Sequence, residues 1–319
     1  MYAKFCVNRE TAGNFMRLFM NRRAYSIQSS RPLPNGSLPY YLARDWQAKE
    51  PKALDEDTVR MHLNGDITIS LFAINPETQR SKWVAIDADF ESALEALFEL
   101  QWELKQDGVE AALEQSRRGG HLWIFGAEPL LASECRIYVY NLALRLGVPV
   151  KGGSLKEGIE VFPRQDCLGD GEYGNAIRAP LGVHRKTGRR YWFYDADLTP
   201  EAQLAYLDGL NKLTEGQLKN FIQGLSLPEA YRPATAVPYV PLVGGASNEE
   251  FRILDFVRAT RKDNRNWWAR CPSCAQAGRD RSGDNLAIQV RNPRFYKCWA
   301  GCSKEEIRAA VGRPIRRHA

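Results

Sequence analysis

The chain has 319 residues, 44% hydrophobic, 11% aromatic and 26% charged. These are globular values that exclude a disordered, fibrous or membrane-embedded protein and leave room for about two domains whose cores need no disulfides. The formal charge of +6 is unevenly placed: residues 250–319 carry 16 Lys or Arg against 7 Asp or Glu, a surplus of +9, which leaves −3 for residues 1–249. No window approaches the roughly 18 uninterrupted apolar residues of a membrane span, and the N-terminus has no basic stretch leading into an apolar run, so a cytoplasmic protein with no membrane partner is expected.

Residues 8–23 space their apolar positions as a helix does, with Thr11 as its expected N-cap, and a Pro/Gly/Ser-rich loop follows at 29–39. The β-rich segments 67–74 and 82–90, separated by the turn sequence NPETQRS, predict a hairpin. Residues 92–108 form an amphipathic pattern that Gly108 stops, 121–126 a strand, and 133–148 a second helix with Ser133 as N-cap. Short strands at 158–163, 176–180 and 189–195 and helices within 199–224 complete the run. This order predicts an α+β (α/β) domain over residues 1–225, with a mixed sheet and flanking helices. Residues 226–249, with four prolines and two adjacent glycines, predict an extended linker, and 250–319 a small second domain.

Asp87 and Asp89 stand in V-A-I-D-A-D-F at a strand end, where the two-residue period puts both carboxylates on one face. Adjacent carboxylates repel, and a hard divalent cation is the common remedy, although two exposed acids at a strand end are the more frequent meaning of D-x-D alone. A second such pair, Asp195 and Asp197, runs into a helix start at Thr199-Pro200 and is better explained by that helix. The turn Ser116–His121, S-R-R-G-G-H, offers backbone N–H groups, Arg117, Arg118 and an imidazole to an anion. Glu160 supplies a third acid on a short apolar strand, and residues 174–190 place Asn175, Arg178, His184, Arg185 and Lys186 around glycines and a proline, a second anion-binding element.

Cys271-x-x-Cys274 and Cys298-x-x-x-Cys302, 23 residues apart, have the spacing of a tetrahedral four-thiolate zinc site whose spacer, LAIQVRNPRFYK, can form two strands. Such a ribbon is preferred over an iron–sulfur cluster or redox pairs, while Cys6, Cys135 and Cys167 stand isolated. Trp267, Trp268, Phe295, Tyr296 and Trp299 are interleaved with basic residues including Arg294, a surface for stacking bases and neutralising phosphates unless about half of these rings fill the ribbon's own core.

Taken together, D-A-D, then S-x-x-x-x-H entering an apolar strand, then an acid in an apolar strand, then G-N-x-I-R-x-P-L-G-V-H-R-K-T-G resemble the archaeo-eukaryotic primase superfamily. The likeness is greatest to primase-polymerases of plasmids, phages and TOTE-type conflict systems and covers residues 55–200. The cysteine module resembles the zinc ribbon of bacterial replicative primases. The resemblance implies a DNA-dependent primase-polymerase in which Asp87, Asp89 and Glu160 hold two Mg²⁺ or Mn²⁺ ions, with Asp166 as the alternative third acid. It implies further that Ser116, Arg118, His121, Arg178, His184 and Lys186 meet the incoming nucleotide. One structural Zn²⁺, a single-stranded DNA template and nucleoside triphosphates follow from the same likeness. A gap-filling or end-joining polymerase and a catalytically inactive DNA-binding replication factor are the alternatives. The sequence contains no G-x-x-x-x-G-K-[ST] motor motif, so a separate helicase is an expected partner.

Overall fold

The computed structural model describes residues 5–45, 47, 50–152, 155–232, 251–280 and 282–315 and divides into two compact units, Met1–Tyr231 and Arg232–Ala319. In the first unit, helix α1 (Arg9–Phe19) begins at Asn8, whose side-chain oxygen accepts from the Thr11 N–H at 2.8 Å and hydroxyl at 2.9 Å. The cap therefore lies three residues before the expected Thr11, because asparagine's acceptor reaches the free N–H of the first turn. Strands β1 (Tyr25–Gln28) and β2 (Tyr40–Leu42) precede α2 (Glu56–Asn64), and β3 (Ile69–Phe72) and β4 (Arg80–Ala88) precede α3 (Ala93–Gln106). Then come β5 (Ala111–Gln115), β6 (Gly120–Leu131), α4 (Ala132–Arg145), β7 (Glu160–Phe162) and β8 (Ala176–Arg178). A short hairpin of β9 (Val183–His184) and β10 (Arg189–Arg190), then α5 (Pro200–Asp208) and α6 (Glu215–Phe221), complete the unit. Of the strand expected at 189–195, only β10 is regular; beyond it Phe193 forms an isolated bridge to Glu114.

The α+β class is as expected, and the strands divide between two four-stranded sheets, β2-β1-β3-β8 and β5-β6-β4-β7. Pairing within both is antiparallel, with isolated parallel bridges joining Gly126 to Leu213 and Val150 to Ile159. The expected hairpin of 67–74 with 82–90 does not form, since β3 pairs with β1 and β8 while β4 pairs with β6 and β7. Asn21 shows why. Its buried amide donates to the Ala73 carbonyl at 2.9 Å and the Ser81 hydroxyl at 3.2 Å and accepts from the Lys82 N–H at 2.7 Å, so a distant side chain takes the backbone groups that a hairpin would have paired. Helix α4 starts at Ala132, not behind a Ser133 cap, and the Ala132 N–H is satisfied by the Gln79 carbonyl at 3.1 Å.

Strand β4 is apolar on both faces. Trp83 and Ala85 join a core with α1, α2, α5 and the β1/β3/β8 sheet, whereas Val84, Ile86 and Ala88 pack with α3 and α4. Residues 226–231 of the expected linker belong to this unit, where Leu227 and Tyr231 are buried in the α3/α4 core; positions 233–249 lie outside the described residues.

The second unit is an antiparallel sheet, β11 (Ala259–Lys262), β12 (Asn266–Ala269), β13 (Leu286–Gln289) and β14 (Tyr296–Cys298), with short helices α7 (Pro272–Gln276) and α8 (Lys304–Ala310). The spacer between the cysteine pairs forms β13 and β14 as the alternation predicts, and β11 and β12 extend the sheet. Ile253, Leu286, Ile288, Tyr296 and Ile307 share a small core with the cysteines.

Candidate active site and metal centre

Register places the site. Across the sheet, Glu114 of β5 lies opposite His121 of β6, His121 opposite Asp87 of β4, and Asp87 opposite Glu160 of β7. Cross-strand partners point to the same face, so two acids, one imidazole and a further acid form one row over four strands. The turn between β5 and β6 is closed by Ser116, whose N–H donates to the Gly119 carbonyl at 2.9 Å and whose hydroxyl accepts from the Gly119 N–H at 3.2 Å. Gly119 is required there: a Cβ would stand 2.0 Å from the Ala88 carbonyl oxygen. That close approach lets Arg118 pair with Asp89, just beyond β4.

Glu114 is fully buried. Its Oε1 accepts from Arg178 Nη2 at 2.9 Å, and its Oε2 accepts from His121 Nδ1 at 2.7 Å and Trp123 Nε1 at 3.1 Å. Burial would raise its carboxyl, but Arg178, then His121, outweigh that and hold it below the usual range. Burial conversely works against charge on His121, yet Glu114 and then Asp87 leave its imidazole above its ordinary value. His121 Nε2 lies 3.5 Å from Asp87 Oδ1. Asp87 itself is raised, by burial first and by the charges of Asp89 and Glu160, against the pull of His121.

Glu160 is paired with Lys151 and, at 3.1 Å, with Arg164. Asp166 is paired with Arg136 of α4 and stands outside the row, so Glu160 is the acid beside Asp87. The carboxylates of Asp87, Asp89 and Glu160 share one end of the sheet without gathering around a single point, each being drawn to a basic partner. As a donor set they fit hard divalent ions: all are carboxylate oxygens, and the push of Asp89 and Glu160 on Asp87 is what a cation would relieve.

Arg178 enters from β8 of the other sheet. Near it, His184 of β9 holds the Thr187 N–H at 3.2 Å through Nδ1, and its imidazole is pushed down by burial and then by Arg178, Arg117 and Lys186. Those cations thus share one basin. Tyr40 of β2 belongs there too: its ring is 36% exposed, but crowding around its hydroxyl raises it to about 12, while Arg178 and Arg185 pull it back. Of the residues singled out in the sequence, Arg178, His184 and Lys186 share this basin and His121 is tied to Arg178 through Glu114, whereas Ser116 and Arg118 lie on the β5–β6 turn, with Arg118 paired to Asp89. The residue overlooked in the sequence is Glu114. The four-residue turn Ser116–Gly119 fixes residue 114 opposite 121, and a lone acid in the apolar run A-A-L-E was the available signal.

In the second unit, the sulfurs of Cys271, Cys274, Cys298 and Cys302 lie within 4.8 Å of one another. Among the described residues this is the one group of three or more metal-ligating side chains gathered tightly enough for a single ion. Burial pushes Cys271 up to about 12 and Cys274 upward as well, so this crowded set of thiols gains from a cation that takes them as thiolates. A zinc ribbon fits it. Trp267 and Trp268, adjacent on β12, face opposite ways: Trp267 packs on the core, whereas Trp268 lies under Arg261, 4.8 Å from guanidinium to ring centroid. Tyr296, expected as a stacking residue, is only 8% exposed and forms part of the core, which withdraws it from that role. Trp299 and Phe295 are 64% and 59% exposed, with Lys297 5.0 Å from the Trp299 ring and Lys304 5.8 Å from that of Phe295. Arg294, at the turn before them, is exposed.

An acidic row facing a cationic basin is the composition of a site for phosphate groups and the metal ions that accompany them. Residues 20–221 match the family model described as "TOTE conflict system, Archaeo-Eukaryotic Primase domain". The chain belongs to this archaeo-eukaryotic primase family, and membership supports a primase-polymerase activity of the nucleotidyltransferase class. No curated protein sequence matches the chain. Among solved structures it is similar to the catalytic domain of primase RepB′ in complex with initiator DNA, at 14% identity and a TM-score of 0.34, over 68% of this chain and 94% of that one. It is also similar to the polymerase domain of Mycobacterium tuberculosis ligase D in complex with DNA, at 13% identity and a TM-score of 0.30, over 68% and 87%. Likenesses of this size bear no weight on function. No helix among the described residues is long and apolar enough to cross a membrane.

Proposed function

We propose that this protein synthesises primers on single-stranded DNA by metal-dependent nucleotidyl transfer. The observation that carries the reading is the in-register row of Glu114, His121, Asp87 and Glu160 with Arg178 brought against it from a second sheet. Asp87, Asp89 and Glu160 would hold two Mg²⁺ or Mn²⁺ ions, which supply positive charge to the attacking 3′-hydroxyl and the departing pyrophosphate. His121, Arg178 and the Ser116–Gly119 turn bind the triphosphate on the opposite side, with His184, Lys186 and Arg118 completing the cationic wall. The chain's contribution is to orient the α-phosphate and to meet the charge of the leaving group, which is positioning and electrostatics more than covalent chemistry.

The ribbon's exposed Phe295 and Trp299 and its half-buried Trp268, each near a basic side chain, suit the bases and phosphates of a single strand, and zinc supplies the ribbon's folding energy. A mobile-element role and a separate helicase extend the same reading. In the test, Asp87→Ala and Asp89→Ala are assayed for nucleotide incorporation on a single-stranded template with Mg²⁺ or Mn²⁺, with and without a preformed primer. Both variants should lose incorporation and keep DNA binding. Full activity in either removes the site from this row, and extension without initiation in the wild type assigns the chain to gap-filling instead.

A further inference from the structure

We propose that Glu114 is the positioning residue of this site, fixing His121 and Arg178 in the orientation that receives the triphosphate. The inference rests on the nucleotidyl-transfer reading above. A fully buried carboxylate is costly, and an apolar residue of similar volume would serve a purely structural strand better. Here both oxygens are engaged. Oε1 takes Arg178 from β8, and Oε2 takes His121 from β6 and the Trp123 indole two residues on.

The donors come from two different sheets, so one side chain ties together the two elements that form the cationic face of the site. Because Nδ1–H of His121 is committed to Glu114, only Nε2 remains to face Asp87 and a bound substrate. Arg178 is restrained similarly: one of its terminal nitrogens is fixed on Glu114 and its side chain is 11% exposed. Neither group has to be ordered when substrate arrives.

Glu114→Gln keeps the shape and removes this property. The amide has one oxygen, so either Arg178 or the His121–Trp123 pair must face an NH₂ group and lose its acceptor. Wild type, Glu114→Gln, His121→Asn and the double variant are compared as full chains below their melting transitions, for kcat and KM on a primed template and for equilibrium binding of a non-hydrolysable nucleoside triphosphate. Glu114→Gln should lower kcat/KM roughly 10–100-fold, the range for a buried partner that orients a functional imidazole, mostly through KM. The double variant should be little worse than His121→Asn, because the two act through one contact. A Glu114→Gln enzyme within threefold of wild type, or losses that multiply in the double variant, overturns the proposal.

A wild type that binds triphosphate without incorporating it overturns the functional reading alone, since the binding arm still scores Glu114. A wild type that does neither overturns both. If Glu114→Gln does not fold, the imidazole ¹⁵N spectrum of the wild type decides. It should show His121 with a proton on Nδ1, and a tautomer protonated only on Nε2 contradicts the proposal.

Discussion

Gly119→Ala is a one-methyl test of how the site is built. The added Cβ would sit 2.0 Å from the Ala88 carbonyl oxygen and 2.9 Å from the Ala93 Cβ. Carbon and oxygen settle at about 3.3 Å or more, so the Ser116–Gly119 turn must withdraw from the end of β4 by over about 1 Å. Both obstacles are main-chain or helix-anchored atoms, and neither can rotate away. Withdrawal parts Arg118 from Asp89 and shifts the start of β6, which carries His121. Overpacking of this kind costs about 1–3 kcal/mol of stability, and a displacement of about 1 Å near reacting groups costs roughly a hundredfold in rate. The assay is kcat/KM for nucleotide incorporation with a thermal melt on the same preparation. Gly216→Ala in α6 is the control: its Cβ meets nothing within 4 Å, so it should leave activity unchanged and gain up to about 1 kcal/mol of helix propensity. Gly119→Ala with kcat/KM within threefold of wild type would falsify the close packing of turn on strand.

Zinc removal by a chelator should unfold the ribbon while the melt of the first unit persists, because the ribbon's core is small and built around the four cysteines; one unchanged melt would contradict this. His62 gives a pH prediction. It is fully buried, with Nε2 donating to the Pro180 carbonyl at 3.0 Å, and burial holds its imidazole at about 4 against an ordinary 6.5. Its stabilising contribution is therefore complete above pH 6.5, where the unfolded chain begins to take up the proton, and is lost as pH falls to about 4, where the folded chain takes it up too, at up to about 1.4 kcal/mol per pH unit and about 3 kcal/mol in all. His62→Gln should flatten the denaturation slope between pH 6 and 4.5 relative to wild type, whatever its absolute stability; parallel slopes refute the assignment. Trp299→Ala and Phe295→Ala should each weaken single-strand binding by about 1–3 kcal/mol, whereas Tyr296→Ala should lower the ribbon's melt. Equal effects of all three on binding, with folding intact, would place the interface elsewhere.

Asp87, His121 and the cysteines could be singled out because each sits in a short motif whose spacing survives folding: a two-residue period, a tight turn, a pair of knuckles; Glu160 stood in no such motif, and its place beside Asp87 comes from strand pairing. Glu114 was overlooked, because its meaning depends on pairing across the β5–β6 turn and on Arg178, 64 residues away. The false hairpin of β3 with β4 has a similar cause, since local turn chemistry favoured it and Asn21, from another part of the chain, overrode it. Burial also sorted the ribbon's aromatics in a way composition could not. Neighbouring Phe295 and Tyr296 divide in this way, the first 59% exposed and the second 8% exposed within the core.

Primer synthesis from nucleoside triphosphates alone on a single-stranded circle, comparing wild type with Asp87→Ala, tests the assignment of the site and its activity together. The wild type should give labelled short products that depend on Mg²⁺ or Mn²⁺ and vanish in Asp87→Ala. Equal yields from both proteins, or no product from a wild type that binds DNA and triphosphate, would contradict that assignment.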